Sequence, residues 1–326
     1  MSAAPFPSRE ALNICFAHVA YRMAERFTLR GTGISHVEVR DKAGLAAGIA
    51  EADVLLVSGL WSNDLLERAP RLRYVQSISA GIDQYDQDLF RSRGVRLANA
   101  KGVNANAVSE HAMSLILALA RQLHTGRDNQ ARKHWRGMIS DISQREDELG
   151  GKTLLIVGLG AIGNRLARLA RAFDLKVVAT RRDPSRGKGD ADAVHSDRDL
   201  AKLLPQADIV ALTCPLTPDT ENLVNAETLA CMKPGAHLVN VARGRVVDEP
   251  ALIAALQAGR LTAAALDCTV EEPLPASSPL WAMENVIITP HTAGETRRYE
   301  DNVLDILMAN LERIWRGETN LVNEIV

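Results

Sequence analysis

From Asn13 onward, short β-branched or aliphatic runs, each closed by small or turn-forming residues, alternate with stretches of helical pattern. The runs fall at residues 14–17, 54–58, 74–78, 154–158, 176–180, 209–213, 237–241, 263–267 and 286–289. A strand that is apolar along its whole length has both faces buried, and its parallel neighbour is reached through a crossover, usually a helix. The alternation therefore predicts an α/β fold with parallel sheets covered by helices on both faces. At 326 residues the chain exceeds what one core usually holds, so two doubly wound domains are expected. Residues 107–121 are apolar around nearly the whole helical circumference, which predicts a helix buried between two bodies at the first domain crossing. The following stretch, 127–151, reads as polar and irregular, and a last helix is expected over 296–315 with Gly317 closing it.

Function classes narrow quickly. A net charge of −2 gives no general attraction to nucleic acid or membrane surfaces. The most apolar stretch, 112–120, is shorter than a membrane span, and the start Met1-Ser-Ala-Ala-Pro-Phe-Pro lacks a charged segment leading into an apolar one. A soluble, cytoplasmic protein is the expectation. Cys15, Cys214, Cys231 and Cys268 are scattered in apolar surroundings without a C-x-x-C pair, and no H-E-x-x-H occurs, so reduced thiols and no metal are expected.

The run at 154–158 leads into Gly158-Leu-Gly160-Ala161-Ile162-Gly163 and then a helix. Glycines at this spacing allow a tight turn, a close approach of backbone to a pyrophosphate, and packing of helix on strand, while the helix N-terminus faces the phosphates. With a strand before, a helix after and a second strand at 176–180, the pattern predicts a dinucleotide site rather than an ordinary glycine turn. An acidic ribose ligand would end that second strand in an NAD-preferring site. Here the chain reads Thr180-Arg181-Arg182-Asp183. The arginines either form a solvated basic turn or clamp the 2′-phosphate of NADP, and the clamp is favoured; Asp183 reaching the ribose of NAD stays open.

Further on, Asn240-Val-Ala-Arg243, Leu266-Asp267-Cys-Thr-Val-Glu-Glu272-Pro and Thr289-Pro-His291-Thr-Ala-Gly294 each place a reactive side chain just past an apolar strand. Strand C-termini line one edge of a doubly wound sheet, so these groups should converge. Reduction of a 2-oxo acid needs a cation for the carboxylate, a proton donor for the carbonyl, and a partner that keeps the donor charged. Arg243, His291 and Glu272 meet those needs. Taken singly, each also reads as a surface ion-pair partner, an exposed turn or a solvated side chain. The other histidines, His18, His36, His111, His124, His134, His195 and His237, lack a comparable setting and read as structural or solvated.

These segments, together with Ser79-Ala80-Gly81-Ile-Asp83, Ala107-Val-Ser-Glu110-His and Cys214-Pro215-Leu-Thr-Pro-Asp-Thr220, resemble the D-isomer-specific 2-hydroxyacid dehydrogenase family in order and over most of the chain. The resemblance implies a Rossmann cofactor domain, residues 105–291, inserted in a flavodoxin-like substrate domain, residues 1–104 and 292–326. It implies Arg243, Glu272 and His291 as the catalytic set. Cys214, Pro215, Thr220, Val241, Ala242 and Gly294 border the cofactor, Asp267 lies on the nicotinamide side, and Ser79, Ala80 and Gly81 hold the substrate carboxylate. A homodimer through the cofactor domain is also implied. The loop bearing Leu60 and Trp61 should meet the 2-substituent, and its lack of arginine disfavours a phosphorylated substrate. Glyoxylate, hydroxypyruvate or a modest apolar 2-oxo acid remain open. Where the family often has Asp-Val-Phe, this chain has Asp267-Cys268-Thr269. Two alternatives stand beside this: formate or phosphite oxidation on the same fold, where formate dehydrogenases place glutamine at the position of Glu272, and a corepressor-like dinucleotide sensor.

Overall fold

The computed structural model describes residues 6–326, so part of the N-terminal stretch read for a secretory signal, residues 1–5, lies outside the described residues. The chain divides into two compact units, Met1–Asn104 with Thr296–Val326, and Ala105–Glu295. The return crossing falls after Glu295 rather than after His291, because the amides of Thr292 and Ala293 are held by Asp267 of the second unit.

In the first unit, strands β1 (Asn13–Ala17), β2 (Ser35–Val39), β3 (Val54–Val57), β4 (Tyr74–Ser77) and β5 (Arg96–Ala98) form a wholly parallel sheet in the order β2-β1-β3-β4-β5. This is the flavodoxin-like order, reversing direction between β1 and β3. The last helix, Tyr299–Trp315, lays Val303, Leu307 and Leu311 at i, i+4, i+8 into the core on one face of that sheet. Gly317, at φ 71°, closes that helix as expected. The C-terminal residues then pair with β5, Ile325 N donating to Leu97 O at 2.8 Å, so both ends of the chain complete one unit.

In the second unit, β6 (Thr153–Val157), β7 (Lys176–Arg181), β8 (Ala193–Ser196), β9 (Ile209–Leu212), β10 (His237–Asn240), β11 (Ala263–Leu266) and β12 (Val286–Ile288) are parallel in the order β12-β11-β10-β9-β6-β7-β8. That is the Rossmann order, with its switch point between β6 and β9. The helix Ala105–Ala120 buries Val108, Ala112, Leu115, Ile116 and Leu119 against the helix Ala161–Arg171, β10 and β11, within this unit. A second helix, Leu123–Ala131, buries no residue and occupies the start of the stretch expected to be irregular. No helix among the described residues is long and apolar enough to cross a membrane.

Strands β2, β5 and β8 were not among the anticipated runs. All three lie at sheet edges. An edge strand is covered on fewer sides, and β2 and β8 each lack any fully buried residue, so they carry no continuous apolar run.

Candidate active site

Because β10, β11 and β12 are direct neighbours, the loops leaving their C-terminal ends start side by side. Gly244 decides how closely they approach. A Cβ there would lie 1.9 Å from the carbonyl oxygen of Thr269, so only glycine lets the turn Gly244–Val246 rest on the backbone of the 267–272 loop. Asn240, 1% exposed, fixes the lead-in to that turn, accepting from Ala242 N at 3.0 Å and donating to Arg243 O at 3.0 Å. The Arg243 side chain is exposed and donates through Nη1 to Ala242 O at 2.7 Å; among the described residues it has no carboxylate partner. A bidentate cation is thereby left available to an incoming anion.

Glu272 is held at both oxygens. Its Oε1 accepts from Thr269 N at 3.1 Å, and its Oε2 accepts from His291 Nδ1 at 2.8 Å. A carboxylate only accepts, so Nδ1 carries the proton and Nε2 is the nitrogen left to face a substrate. The two side chains are 39% and 42% exposed, which leaves the pair accessible. Asp267, by contrast, is 2% exposed and faces the His291 loop: its Oδ1 accepts from Thr289 Oγ1 at 2.6 Å and Thr292 N at 3.0 Å, its Oδ2 from Ala293 N at 3.0 Å. The cofactor contact expected of Asp267 has little carboxylate left to use, and only Oδ2 retains capacity. Sequence reasoning missed this anchoring role, since a buried acid after a strand carries no signal of what it will bind.

Of the residues expected to hold the dinucleotide, Gly158, Gly163 and Cys214 meet at the switch point. Gly158 has φ 103°, and a Cβ on it would lie 2.7 Å from the backbone of Cys214, which brings the loops after β6 and β9 into contact. Gly163 sits against Gly158 O in the same turn. Gly160 differs: a Cβ there would meet nothing within 4 Å, and the helix Ala161–Arg171 begins beside it with no side-chain cap. Open space in front of uncapped amides of Ala161 and Ile162 fits a pyrophosphate. Val241 and Ala242 lie buried at the end of β10, and the Thr220 hydroxyl donates to Pro215 O at 2.7 Å, closing the turn that follows Cys214. Gly294 stands in the turn after His291, where Glu295 N reaches Thr292 O. Burial pushes the Cys214 thiol up to about 11 and the Cys268 thiol up to about 12, so neither supplies a thiolate at neutral pH.

At the end of β7, Arg181 Nη1 donates to Gly187 O at 2.9 Å, whereas Arg182 is exposed and, among the described residues, makes no hydrogen bond or ion pair. Asp183 caps its own turn, accepting from Ser185 Oγ at 2.6 Å and Ser185 N at 3.0 Å, contacts that hold its carboxyl below the usual range. Arg186 and Lys188, exposed in the same loop, are further cations that the sequence reading did not weigh. Among the described residues, no cluster of three or more His, Cys, Asp or Glu could hold a metal ion.

In the first unit, Ser79, Ala80 and Gly81 follow β4. Ser79 Oγ donates to Gly81 O at 3.2 Å and Asn99 Nδ2 to Ala80 O at 2.8 Å, while the amides of Ala80 and Gly81 have no acceptor among the described residues. Leu60 and Trp61 depart from expectation. Both are buried in the core of this unit, the indole packing at 5.3 Å from the rings of Tyr85 and of Phe90 and donating to Asn63 Oδ1 at 2.9 Å. Their apolar character is spent on packing, because the short loop after β3 folds inward over Phe90.

A Rossmann-ordered sheet, an open glycine turn at its switch point and an imidazole–carboxylate pair beside an unpaired arginine define a dinucleotide-dependent dehydrogenase. Residues 113–293 match the model of the D-isomer specific 2-hydroxyacid dehydrogenase NAD-binding domain. The glyoxylate/hydroxypyruvate reductase B of Escherichia fergusonii is 37% identical over 307 residues, covering 93% of each chain. The D-3-phosphoglycerate dehydrogenase of Methanocaldococcus jannaschii is 35% identical over 299 residues, covering 90% of this chain but 54% of that one, so this chain spans about half of its length. A crystal structure of a D-isomer specific 2-hydroxyacid dehydrogenase family protein from Aeromonas salmonicida superposes with a TM-score of 0.82 at 31% identity, covering 97% of this chain and 99% of the other. This chain belongs to the D-isomer-specific 2-hydroxyacid dehydrogenase family and is an oxidoreductase using a nicotinamide dinucleotide.

Proposed function

We propose that the protein reduces a small, unphosphorylated 2-oxo acid of the glyoxylate or hydroxypyruvate type to the D-2-hydroxy acid, with NADPH preferred. The observation that carries the reaction is the 2.8 Å bond from His291 Nδ1 to Glu272 Oε2, which leaves Nε2 as the proton donor. Arg243, unpaired, binds the substrate carboxylate and polarises the carbonyl. His291 gives its Nε2 proton to the carbonyl oxygen as the alcohol forms, and Glu272 stabilises the imidazolium beforehand. Bound NADPH supplies the hydride. In this reading the unit Ala105–Glu295 holds the dinucleotide and carries Arg243, Glu272 and His291.

The substrate class rests on the reductase relative that matches over 93% of each chain. The NADPH preference rests on Arg181 and Arg182 at the end of β7, with Asp183 engaged in its own turn. A cytoplasmic homodimer completes the proposal. Trp135, Met138 and Ile142, 96%, 101% and 78% exposed on the second unit, supply apolar surface for a second copy. Initial rates for a dozen 2-oxo acids with NADPH and with NADH test the reading. The highest kcat/KM should fall on glyoxylate or hydroxypyruvate with NADPH; activity confined to a phosphorylated acid, or to none, would overturn it.

A further inference from the structure

His291 has φ 55°, a left-handed conformation that crowds any residue bearing a Cβ. What holds it there is a single carboxylate that grips the chain on both sides. Asp267 Oδ1 accepts from Thr289 Oγ1, two residues before His291, and Asp267 accepts from the amides of Thr292 and Ala293 just after it. The Thr289 hydroxyl has one proton, and its 2.6 Å bond to Asp267 uses it. Its oxygen can therefore only accept from its other neighbour, His111 Nε2, at 3.0 Å. His111 Nε2 also lies 3.5 Å from Asp267 Oδ1.

His111 sits on the helix Ala105–Ala120, and the next residue, Ala112, is 0% exposed in the core of the unit. The anchor is thus rigid, whereas the 289–293 segment has no regular structure of its own. We propose that His111 is a positioning residue for the reaction: through the Thr289 hydroxyl and the Asp267 carboxylate it fixes the loop that aims His291 at Glu272 and at the substrate. This rests on the reading of His291 as proton donor. Without the imidazole N–H, the Thr289 oxygen loses its donor and the hydroxyl can turn away from Asp267, loosening the grip on one side of His291. The error is then passed to Nε2, where the proton leaves.

The test is kinetic and spectroscopic, on the full chain. His111→Phe should lower kcat about ten- to a hundredfold, the scale of a small misplacement of a reacting group, with KM for the 2-oxo acid and Kd for the dinucleotide within about twofold. His111→Gln, whose amide N–H can reach the same oxygen, should recover most of the loss. Thr289→Val should match His111→Phe, Thr289→Ser should stay near wild type, and the double variant His111→Phe/Thr289→Val should be no slower than the slower single one, since both cut one chain of hydrogen bonds. Unchanged kcat in His111→Phe, failure of glutamine to rescue, or losses that multiply would each overturn the proposal. Imidazole nitrogen resonances of His291 without substrate, assigned through His291→Asn, give a readout free of turnover. They should move in His111→Phe and return in His111→Gln, and fixed resonances would refute the positioning role. If the wild type turns over no 2-oxo acid, the functional reading fails while these resonances still decide whether His111 positions the loop.

Discussion

A single methyl group at position 244 tests whether the catalytic loops depend on backbone-to-backbone contact. In Gly244→Ala the new Cβ would fall 1.9 Å from Thr269 O, 2.0 Å from its carbonyl carbon and 2.5 Å from Val270 N. Ordinary contact begins near 3.4 Å, so turn and loop must part by about 1.5 Å. The obstacle is main chain tied to the ends of two paired strands, not the tip of a flexible side chain. Thr269 N is also the donor to Glu272 Oε1, so moving it carries Glu272 away from His291. Misplacement of about 1 Å costs roughly a hundredfold in rate, and overpacking costs about 1–3 kcal/mol, or roughly 2–12 °C in Tm for a unit of this size. The assay is absorbance of the reduced nicotinamide at saturating substrate, with thermal unfolding by circular dichroism and dinucleotide Kd by fluorescence. The expected result is a kcat about a hundredfold lower and a lower Tm, with Kd little changed. Wild-type kcat together with wild-type Tm would refute the argument that this contact assembles the site.

Gly160→Ala should do the reverse. Its Cβ meets nothing within 4 Å, so Tm should hold while the dinucleotide binds at least about tenfold more weakly, and unchanged Kd would remove the open turn from the cofactor site. Arg243→Ala should cut kcat/KM by about two to four orders of magnitude while leaving dinucleotide Kd intact; a normal rate would remove Arg243 from the site. The double replacement of Arg181 and Arg182 by alanine should weaken NADPH at least about tenfold, on the order of 1.4 kcal/mol, with NADH little altered and the wild-type preference shrinking as salt rises. Wild-type preference for NADH at low salt would return the ribose to Asp183. Burial, with Lys152 nearby, holds His237 below its ordinary value of 6.5, so its neutral form stabilises the fold fully above 6.5 and that stability is lost as pH falls toward the depressed value. The fall in Tm between about pH 7 and pH 5 should therefore be shallower in His237→Gln, and an identical fall would show that His237 does not titrate with unfolding.

The central strands were legible in the sequence because both of their faces are buried, so every residue of runs such as Val54–Val57 and Ile209–Leu212 must be apolar. The glycine turn was legible because its steric demands are local, and Arg243, Glu272 and His291 because reactive side chains just past apolar strands converge once the sheet is parallel. Edge strands β2 and β8 left no such trace, since neither has a fully buried residue, and β5 is only three residues long. Trp61 misled for a related reason: an apolar loop residue looks the same whether it faces a substrate or its own core. Only the tertiary structure decided that Gly244 touches Thr269, that Asp267 grips both sides of His291, and that His111 on a distant helix reaches Thr289. Each of those contacts joins residues far apart in sequence, and a chain's local pattern records whether a residue is buried or polar but not which partner the fold will bring to it.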